Sequence, residues 1–214
     1  MANTLAFLVL FAVAGISATI AYDPDALQDI CVADLNSAVK VNGFPCKSNV
    51  NATDFSFAGL AKPGFITSKF GSLVTTANVM QIPGLNTLGV SMARIDYKPG
   101  GLNPPHTHPR GTEMIFVLDG ELDVGFITTA DILITKTIKK GEIFVFPRGL
   151  IHFQKNNGDK PASVIAAFNS QLPGTQVVAV SLFASTPPLT DIVLTMAFQI
   201  DTQEVEKIKA GLKS

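Results

Sequence analysis

The sequence predicts an all-β domain, a sandwich or barrel of short strands, followed by a helical region at the C-terminus. Between residues 87 and 169, short runs rich in Val, Ile and Phe alternate with turn dipeptides at close spacing, which is typical of a sandwich or barrel. Asp119-Gly120 is a strong signal for a two-residue hairpin. After Pro173-Gly174 the spacing of the apolar residues changes and fits helices instead of strands.

Each predicted strand is bounded by turn signals, such as Pro99-Gly100-Gly101, Lys140-Gly141 and Asn157-Gly158-Asp159. Residues 22–60 are irregular and rich in turn residues, and no repeat or linker divides the chain. We therefore expect a single domain. Its predicted strands are 87–98, 113–118, 121–128, 132–138, 142–147, 150–156 and 162–169.

Two helices are predicted near the C-terminus, over residues 189–198 and 202–212. In the second, Val205, Ile208 and Leu212 lie on one face. Helices this short are marginal alone, so their apolar faces need the barrel or another subunit as a partner. We expect the methionines to serve in packing, among them Met80, Met92, Met114 and Met196.

The composition excludes several classes of protein. The chain has 214 residues, of which 47% are hydrophobic and 15% charged, and its formal net charge is −1. Intrinsic disorder needs low hydrophobicity and high net charge, so it is excluded. The balanced charge argues against a nucleic-acid partner, because phosphate contacts need a basic surface.

The N-terminus has the features of a secretory signal peptide. Residues 5–21 carry no charge and end in small residues, and Asp23-Pro24-Asp25 follows. A transmembrane anchor is the alternative, but the small-residue ending and the lack of a basic flank favour cleavage after Ala21. We therefore predict a signal peptide over 1–21 and a mature domain over 22–214 that no membrane holds. Its N-terminal extension is 22–60 and its C-terminal helical appendage is 187–214.

Secretion bears on two further features of the sequence, the pair of cysteines and a glycosylation sequon. Cys31 and Cys46 are the only cysteines, and an oxidising compartment favours a disulfide between them over two free buried thiols. Closing a loop of this size stabilises by ~3 kcal/mol in the chain-entropy model. Asn51-Ala52-Thr53 is an N-glycosylation sequon, so we expect Asn51 to be glycosylated.

All three histidines of the chain fall in two short segments. His106 and His108 are two residues apart and would share one face of an extended backbone. Glu113 begins the next predicted strand, and His152 lies on a later one. Three imidazoles and one carboxylate suit a divalent first-row metal such as Mn, Fe, Ni, Cu or Zn. An octahedral ion would keep two positions for water or substrate, so the set favours a catalytic site over a closed structural one.

At these residues the chain resembles a germin-like protein of the cupin superfamily. The first cupin box, Gly-x5-His-x-His-x4-Glu-x6-Gly, is matched at every position from Gly100 to Gly120. The second, Gly-x5-Pro-x-Gly-x2-His-x3-Asn, is matched from Gly141 to Asn156. The segments 23–34, 86–92 and 168–171 also resemble the family, so the likeness covers essentially the whole mature chain.

The resemblance implies a cupin double-sheet β-barrel, or jelly roll, with manganese held inside it by His106, His108, Glu113 and His152. It also implies the disulfide between Cys31 and Cys46. Family members form hexamers, as trimers of dimers, in which the C-terminal helices clasp neighbouring subunits. They are secreted plant glycoproteins of the apoplast and cell wall.

The resemblance also bears on activity. True germins are oxalate oxidases that place two asparagine amides near their small anionic substrate. One of these matches Asn103, but the other position is Ala93, in Ser91-Met92-Ala93-Arg94. Loss of an amide donor to an anion costs about 1.5–3 kcal/mol, so we expect little or no oxalate oxidation.

Superoxide dismutation needs no such pair of donors, and it is the activity that we expect first. Its alternative is a non-catalytic extracellular glycoprotein, structural or ligand-binding, in which the metal stabilises the barrel.

Overall fold

Ten β-strands in two five-stranded antiparallel sheets form the centre of the fold in a computed structural model, which describes residues 28–40 and 43–213. The predicted signal peptide lies outside the described residues. The strands are β1 (Ser72–Ala77), β2 (Ser91–Tyr97), β3 (Leu102–Thr107), β4 (Glu113–Asp119), β5 (Glu121–Ile127), β6 (Leu133–Lys139), β7 (Ile143–Phe146), β8 (His152–Lys155), β9 (Ala162–Phe168) and β10 (Gln176–Val177).

The two sheets draw on strands from the whole domain. Sheet I has the order β1-β2-β9-β4-β7, and sheet II has the order β10-β3-β8-β5-β6. From β3 onward the chain crosses repeatedly between the sheets, which is the double-sheet barrel that the sequence predicts. Alternate residues of each strand point inward, and the buried side chains between the sheets include Ile95, Ile115, Val124, Phe146 and Val164. Burying each of them contributes about 1.5–3 kcal/mol.

The predicted hairpin at Asp119-Gly120 is wrong. β4 and β5 do flank this turn, but β4 pairs with β7 and β9 in sheet I, and β5 pairs with β6 and β8 in sheet II. The turn is a corner at which the chain passes from one sheet to the other. Gly120 has a positive φ of 78° and lies against Ala162 of β9, and this sharp, tightly packed turn redirects the chain.

The first predicted strand, 87–98, starts too early. Thr87 and Gly89 have positive φ values of 69° and 66°, so the backbone bends before β2 begins at Ser91. The other predicted strands are present, with shifts of a few residues at their ends. The sequence pattern does not predict β1, β3 or β10.

Three helices close the chain: α1 (Val178–Phe183), α2 (Asp191–Phe198) and α3 (Thr202–Lys213). They pack on one another around Phe183, Leu194 and Val205, with Ile208 and Leu212 at the edge of this small core. The predicted apolar face of α3 is thus confirmed. The first helix begins at residue 178, ahead of the predicted appendage at 187.

The methionines that the sequence assigns to packing, Met80, Met92, Met114 and Met196, have exposed side chains in the single chain, so they do not pack in its core. None of the helices among residues 28–40 and 43–213 is long and apolar enough to cross a membrane.

The N-terminal segment contains the predicted disulfide. Cys31 and Cys46 are bonded, and Ala33 forms a β-bridge with Cys46. A 3-10 helix over Ala52–Phe55 follows, and the side chain of Asn51 caps it by accepting the backbone N–H of Thr53. Asn51 is exposed, so its sequon lies on the surface of the chain.

Candidate metal centre

Sheet II places the three histidines side by side. His106 on β3 and His152 on β8 are direct cross-strand partners. His108 follows the end of β3, two residues after His106, and therefore points to the same side. All three side chains are buried inside the barrel. The register between β3 and β8 shifts between Asn103 and His106, where Pro104 and Pro105 remove two backbone donors.

Sheet I supplies the carboxylate from the opposite wall. Glu113 is the first residue of β4, its side chain is 1% exposed, and its Oε2 points at the imidazoles. This oxygen lies 2.9 Å from Nε2 of His108, 3.0 Å from Nε2 of His152 and 4.0 Å from Nε2 of His106. The four ligand atoms all lie within 4.8 Å of one another, so side chains up to 46 positions apart in sequence converge on one point.

Backbone carbonyl groups fix which nitrogen of each imidazole faces this point. The Nδ1 of His106 lies 2.8 Å from the carbonyl oxygen of Pro104, and the Nδ1 of His152 lies 2.8 Å from that of Leu150. The Nδ1 of His108 lies 2.5 Å from the carbonyl oxygen of Gly174. A carbonyl oxygen only accepts, so each Nδ1 carries the proton and donates. In the neutral ring, each Nε2 then presents its lone pair to the centre.

This arrangement fits a cation between the imidazoles and the carboxylate. Lone pairs on Nε2 and on Oε2 of Glu113 repel at about 3 Å unless positive charge lies between them. The second carboxylate oxygen, Oε1, is buried and has no hydrogen-bond partner among the described residues. A divalent metal would satisfy both features at once, since imidazole nitrogen and carboxylate oxygen together suit first-row ions.

Burial and the neighbouring groups also set the charge state of the site. Burial lowers the pKa of His106 to about 4, with a further lowering from His152. Burial alone would raise the pKa of Glu113, but the adjacent imidazoles of His108 and His152 outweigh it and hold that pKa at about 2. At neutral pH His106 is therefore neutral and Glu113 is anionic, which is the protonation state that metal binding requires.

A cavity of about 170 Å³ opens beside the four ligands. His106, His108 and Glu113 line its inner end, and Asn103 and Ala93 face it from β3 and β2. Much of the remaining wall is apolar, with Val74, Ile95, Phe168, Leu172 and Pro173. The two positions that the sequence comparison with germins singles out, 93 and 103, therefore both border the space beside the candidate metal site.

Aromatic rings and two buried polar groups around the histidines were not predicted from the sequence. The rings of Phe146 and His152 are stacked at 4.5 Å, and Phe168 meets His108 edge-on at 4.9 Å. Gln154 is fully buried, its Oε1 lies 3.5 Å from the hydroxyl of Tyr97, and its Nε2 has no partner among the described residues. The sequence signal that could have indicated Gln154 is its position two residues after His152 on one strand, which places both side chains on the same face.

Comparisons with known proteins agree with this geometry. The model of the cupin family matches residues 58–206. Nectarin-1 from Nicotiana langsdorffii x Nicotiana sanderae is 64% identical over 206 residues, which cover 96% of this chain and 90% of that protein. Germin-like protein 5-1 from Oryza sativa subsp. japonica is 70% identical over 190 residues, covering 89% of this chain and 86% of that protein.

Among solved structures, a recombinant oxalate oxidase in complex with glycolate superposes with a TM-score of 0.85 at 46% identity, covering 88% of this chain and 97% of that chain. The cupin model spans more than half of this chain, and the relatives share most of its length. The two cupin boxes, the double-sheet barrel and the cluster of three histidines and one glutamate lead to the same conclusion: the chain belongs to the germin-like proteins of the cupin family.

Proposed function

We propose that this protein is a secreted, manganese-binding glycoprotein of the plant apoplast and cell wall, with superoxide dismutase activity and a role in defence. The observation that carries the proposal is the convergence of His106, His108, Glu113 and His152 on one point beside a small cavity. These four side chains would hold the metal. Iron or another first-row divalent metal tolerates the same ligands, so the test includes metal analysis.

The chain's own groups prepare this site for small oxygen species. Bound manganese would supply one-electron redox chemistry. The carbonyl groups of Pro104, Leu150 and Gly174 hold the imidazoles in one tautomer, and the buried carboxylate of Glu113 offsets part of the metal charge. His106, His108 and Glu113 line the cavity, so a small anion in it would have access to a metal that these residues and His152 hold.

Superoxide dismutation is favoured over oxalate oxidation because of the cavity wall. Asn103 offers an amide donor there, but Ala93 has none and is only 2% exposed. An anion that needs two donors would lose one of them at position 93. Superoxide is a diatomic anion that needs an open metal position and protons from water, so alanine at this position does not impair its dismutation.

Secretion is supported by the signal-like segment 1–21 together with the disulfide between Cys31 and Cys46, since disulfides persist in oxidising compartments. The exposed sequon at Asn51 supports glycosylation. The relatives from Nicotiana and Oryza support a plant source.

A homo-oligomer, specifically a hexamer built as a trimer of dimers, is supported by apolar surface on two parts of the chain. The outer face of sheet I exposes large apolar side chains, including Met114 and Phe116. Helix α2 exposes Ile192, Val193 and Met196. Contiguous apolar surface of this kind is typical of an interface.

The test is metal analysis of the secreted protein with superoxide and oxalate assays side by side. We expect manganese, dismutation of superoxide and little or no hydrogen peroxide from oxalate. His106→Ala and His152→Ala should lose both metal and dismutation, whereas Lys207→Ala, an exposed change on α3, should keep both. Dismutation that survives complete metal removal would contradict the proposal, and rapid turnover of oxalate would contradict the argument from Ala93.

A non-catalytic role is the second candidate, and the placement of the ligands favours it. Glu113 belongs to sheet I and the histidines belong to β3, β8 and the residue after β3, so a bound metal would join the two walls of the barrel. In that case the protein is a structural or ligand-binding glycoprotein. Metal extraction would then unfold the oligomer, and no measurable turnover would be lost with it.

A further inference from the structure

We propose that the cavity beside the metal centre binds short monocarboxylates that carry a 2-hydroxy or 2-oxo group and a methyl-sized apolar substituent. This inference rests on the proposed metal-binding function and names a ligand class for the same site. It follows from the uneven distribution of polar and apolar groups around the cavity.

The polar end of the cavity lies at the histidines and Asn103. The Asn103 side chain lines the cavity and forms no hydrogen bond with another residue in the described part of the chain, so its amide is available to a ligand. Four other polar side chains that are not candidate ligands line the cavity. Asn78 accepts the backbone N–H of Met80 at 2.9 Å through its Oδ1, and the Oγ1 of Thr175 lies 3.5 Å from Nδ1 of His108. The hydroxyl of Ser91 donates to the carbonyl oxygen of Ser170 at 2.7 Å, and that of Thr76 donates to Gln81 at 3.1 Å.

The opposite wall is apolar. Ala93 and Ile95 point inward from β2, and Phe168 points inward from β9, all of them part of the barrel core. Ala93 is the cross-strand partner of Ala166, which is fully buried. On its other side Ala93 pairs with Thr76, whose hydroxyl already donates to Gln81. A ligand atom that lies against Ala93, Ile95 and Phe168 therefore meets methyl groups and ring edges.

The charge of the wall excludes a second carboxylate on the ligand. Across residues 28–40 and 43–213, no lysine or arginine lines the cavity. One carboxylate can be balanced by the metal, whose own charge Glu113 partly offsets. A second one against Ala93 would be buried without a partner, which is costly. A methyl group at the same place would instead gain from burial.

The size of the cavity limits the ligand further. Its volume of about 170 Å³ is smaller than the ~300–1,000 Å³ of clefts that take drug-sized ligands. A carboxylate, an adjacent oxygen and one apolar carbon therefore describe the class, of which lactate and pyruvate are the simplest members.

Two pairs of ligands measure the contribution of the apolar wall to affinity separately from that of the rest of the site. Glycolate and lactate differ by one methyl group, and oxalate and pyruvate differ by an oxygen in place of a methyl. The manganese-loaded oligomer is titrated with each by calorimetry, with the electron paramagnetic resonance signal of Mn²⁺ as a second readout. We expect the better-binding enantiomer of lactate to bind about fourfold tighter than glycolate, the factor that corresponds to ~0.8 kcal/mol for one buried methylene-sized group.

Variants at positions 93 and 103 then test which side chains cause the preference for a ligand that carries a methyl group. Ala93→Asn should improve the Kd of oxalate relative to that of pyruvate by about tenfold or more, because an amide donor to a charged group is worth about that factor. Ala93→Ser, which adds only a hydroxyl group, should shift the ratio in the same direction even if the larger side chain disturbs the fold. Asn103→Ala should weaken all four ligands and leave the lactate-to-glycolate ratio unchanged.

The outcomes keep the two proposals apart. Equal affinities for glycolate and lactate on a metal-loaded protein would overturn this inference and leave the metal-binding function in place. A protein that takes up no divalent metal would contradict the proposed function. That result would overturn this inference as well, because the carboxylate of each ligand depends on the metal for its balancing charge.

Discussion

Glu113 is buried inside the barrel together with the three histidines, and its carboxylate decides which ions the site can hold. One of its oxygens faces the imidazoles, and the other has no hydrogen-bond partner among the described residues. Burying a carboxylate is costly unless a cation balances it. The glutamate would therefore depend on a bound metal for its stability, and the metal would depend on the glutamate for binding.

We predict that Glu113→Gln lowers the affinity for divalent metal by at least a hundredfold with little change in the shape of the site. The amide is nearly isosteric with the carboxylate, but it lacks the negative charge that offsets the ion. Competition with a chelator, followed by elemental analysis, measures the change. Glu121→Gln is the matched control, since Glu121 is exposed and pairs only loosely with Lys139 at 3.7 Å. Equal metal retention in the two variants would show that Glu113 is not a ligand.

The sequence predicted the histidines and Glu113 because spacing along a strand determines which side chains share a face. His106 and His108 satisfy this rule, and Glu113 and His152 both stand at the first residue of a strand. Gln154 obeys the same rule but was not predicted, because an amide gives no signal of its own until its burial is known. Its unpartnered Nε2 is a property of the folded barrel alone.

Among the elements, the corner at Gly120 is a place where a local sequence signal predicts the wrong strand pairing. Asp-Gly signals a tight turn, and the turn is present between β4 and β5. Whether two flanking strands pair with each other depends on the strands that arrive later, here β7 and β9 on one side and β6 and β8 on the other. A dipeptide carries no information about those distant pairings.

Other elements were missed for different physical reasons. Helix α1 is a short apolar run, and such a run cannot be told from a buried strand by periodicity. Strand β3 contains Pro104 and Pro105, which argue against a strand. The structure places them where the register with β8 shifts, so the ladder accommodates the missing donors.

We predict that Gly120→Ala destabilises the domain by about 2 kcal/mol or more. The residue has a φ of 78°, and an added Cβ would lie 2.7 Å from the Cβ of Ala162 and 2.9 Å from its Cα. A non-glycine residue in the left-handed region costs roughly 1–2 kcal/mol before any clash, and relieving the contact would displace β9. Gly141→Ala is the matched control, because Gly141 has a φ of 87° and an added Cβ there would meet nothing within 4 Å. Denaturant unfolding compares the two, and equal losses would mean that backbone strain alone matters.

For the whole molecule, the outer face of sheet I is the feature that a single chain does not explain. Inward residues such as Glu113 and Ile115 are buried, so by alternation their neighbours on β4 face outward. Cross-strand pairing then builds two apolar rows across β9, β4 and β7. The first row continues onto β2 and consists of Met92, Ala167, Met114 and Val145, and the second consists of Ile165, Phe116 and Ile143.

We predict that Phe116→Glu dissociates the proposed homo-oligomer into smaller species. Phe116 is 43% exposed in the single chain and lies between Ile165 and Ile143 in its row, so a carboxylate buried there against apolar side chains would be costly. Light scattering coupled to size exclusion gives the mass, and Thr129→Glu in the exposed β5–β6 turn is the control. Because the change lies on the outside of sheet I and the metal ligands lie inside the barrel, the dissociated variant should retain its metal. Loss of metal together with the oligomer would show that the subunit contacts shape the site, and an unchanged mass would show that subunits associate through another surface.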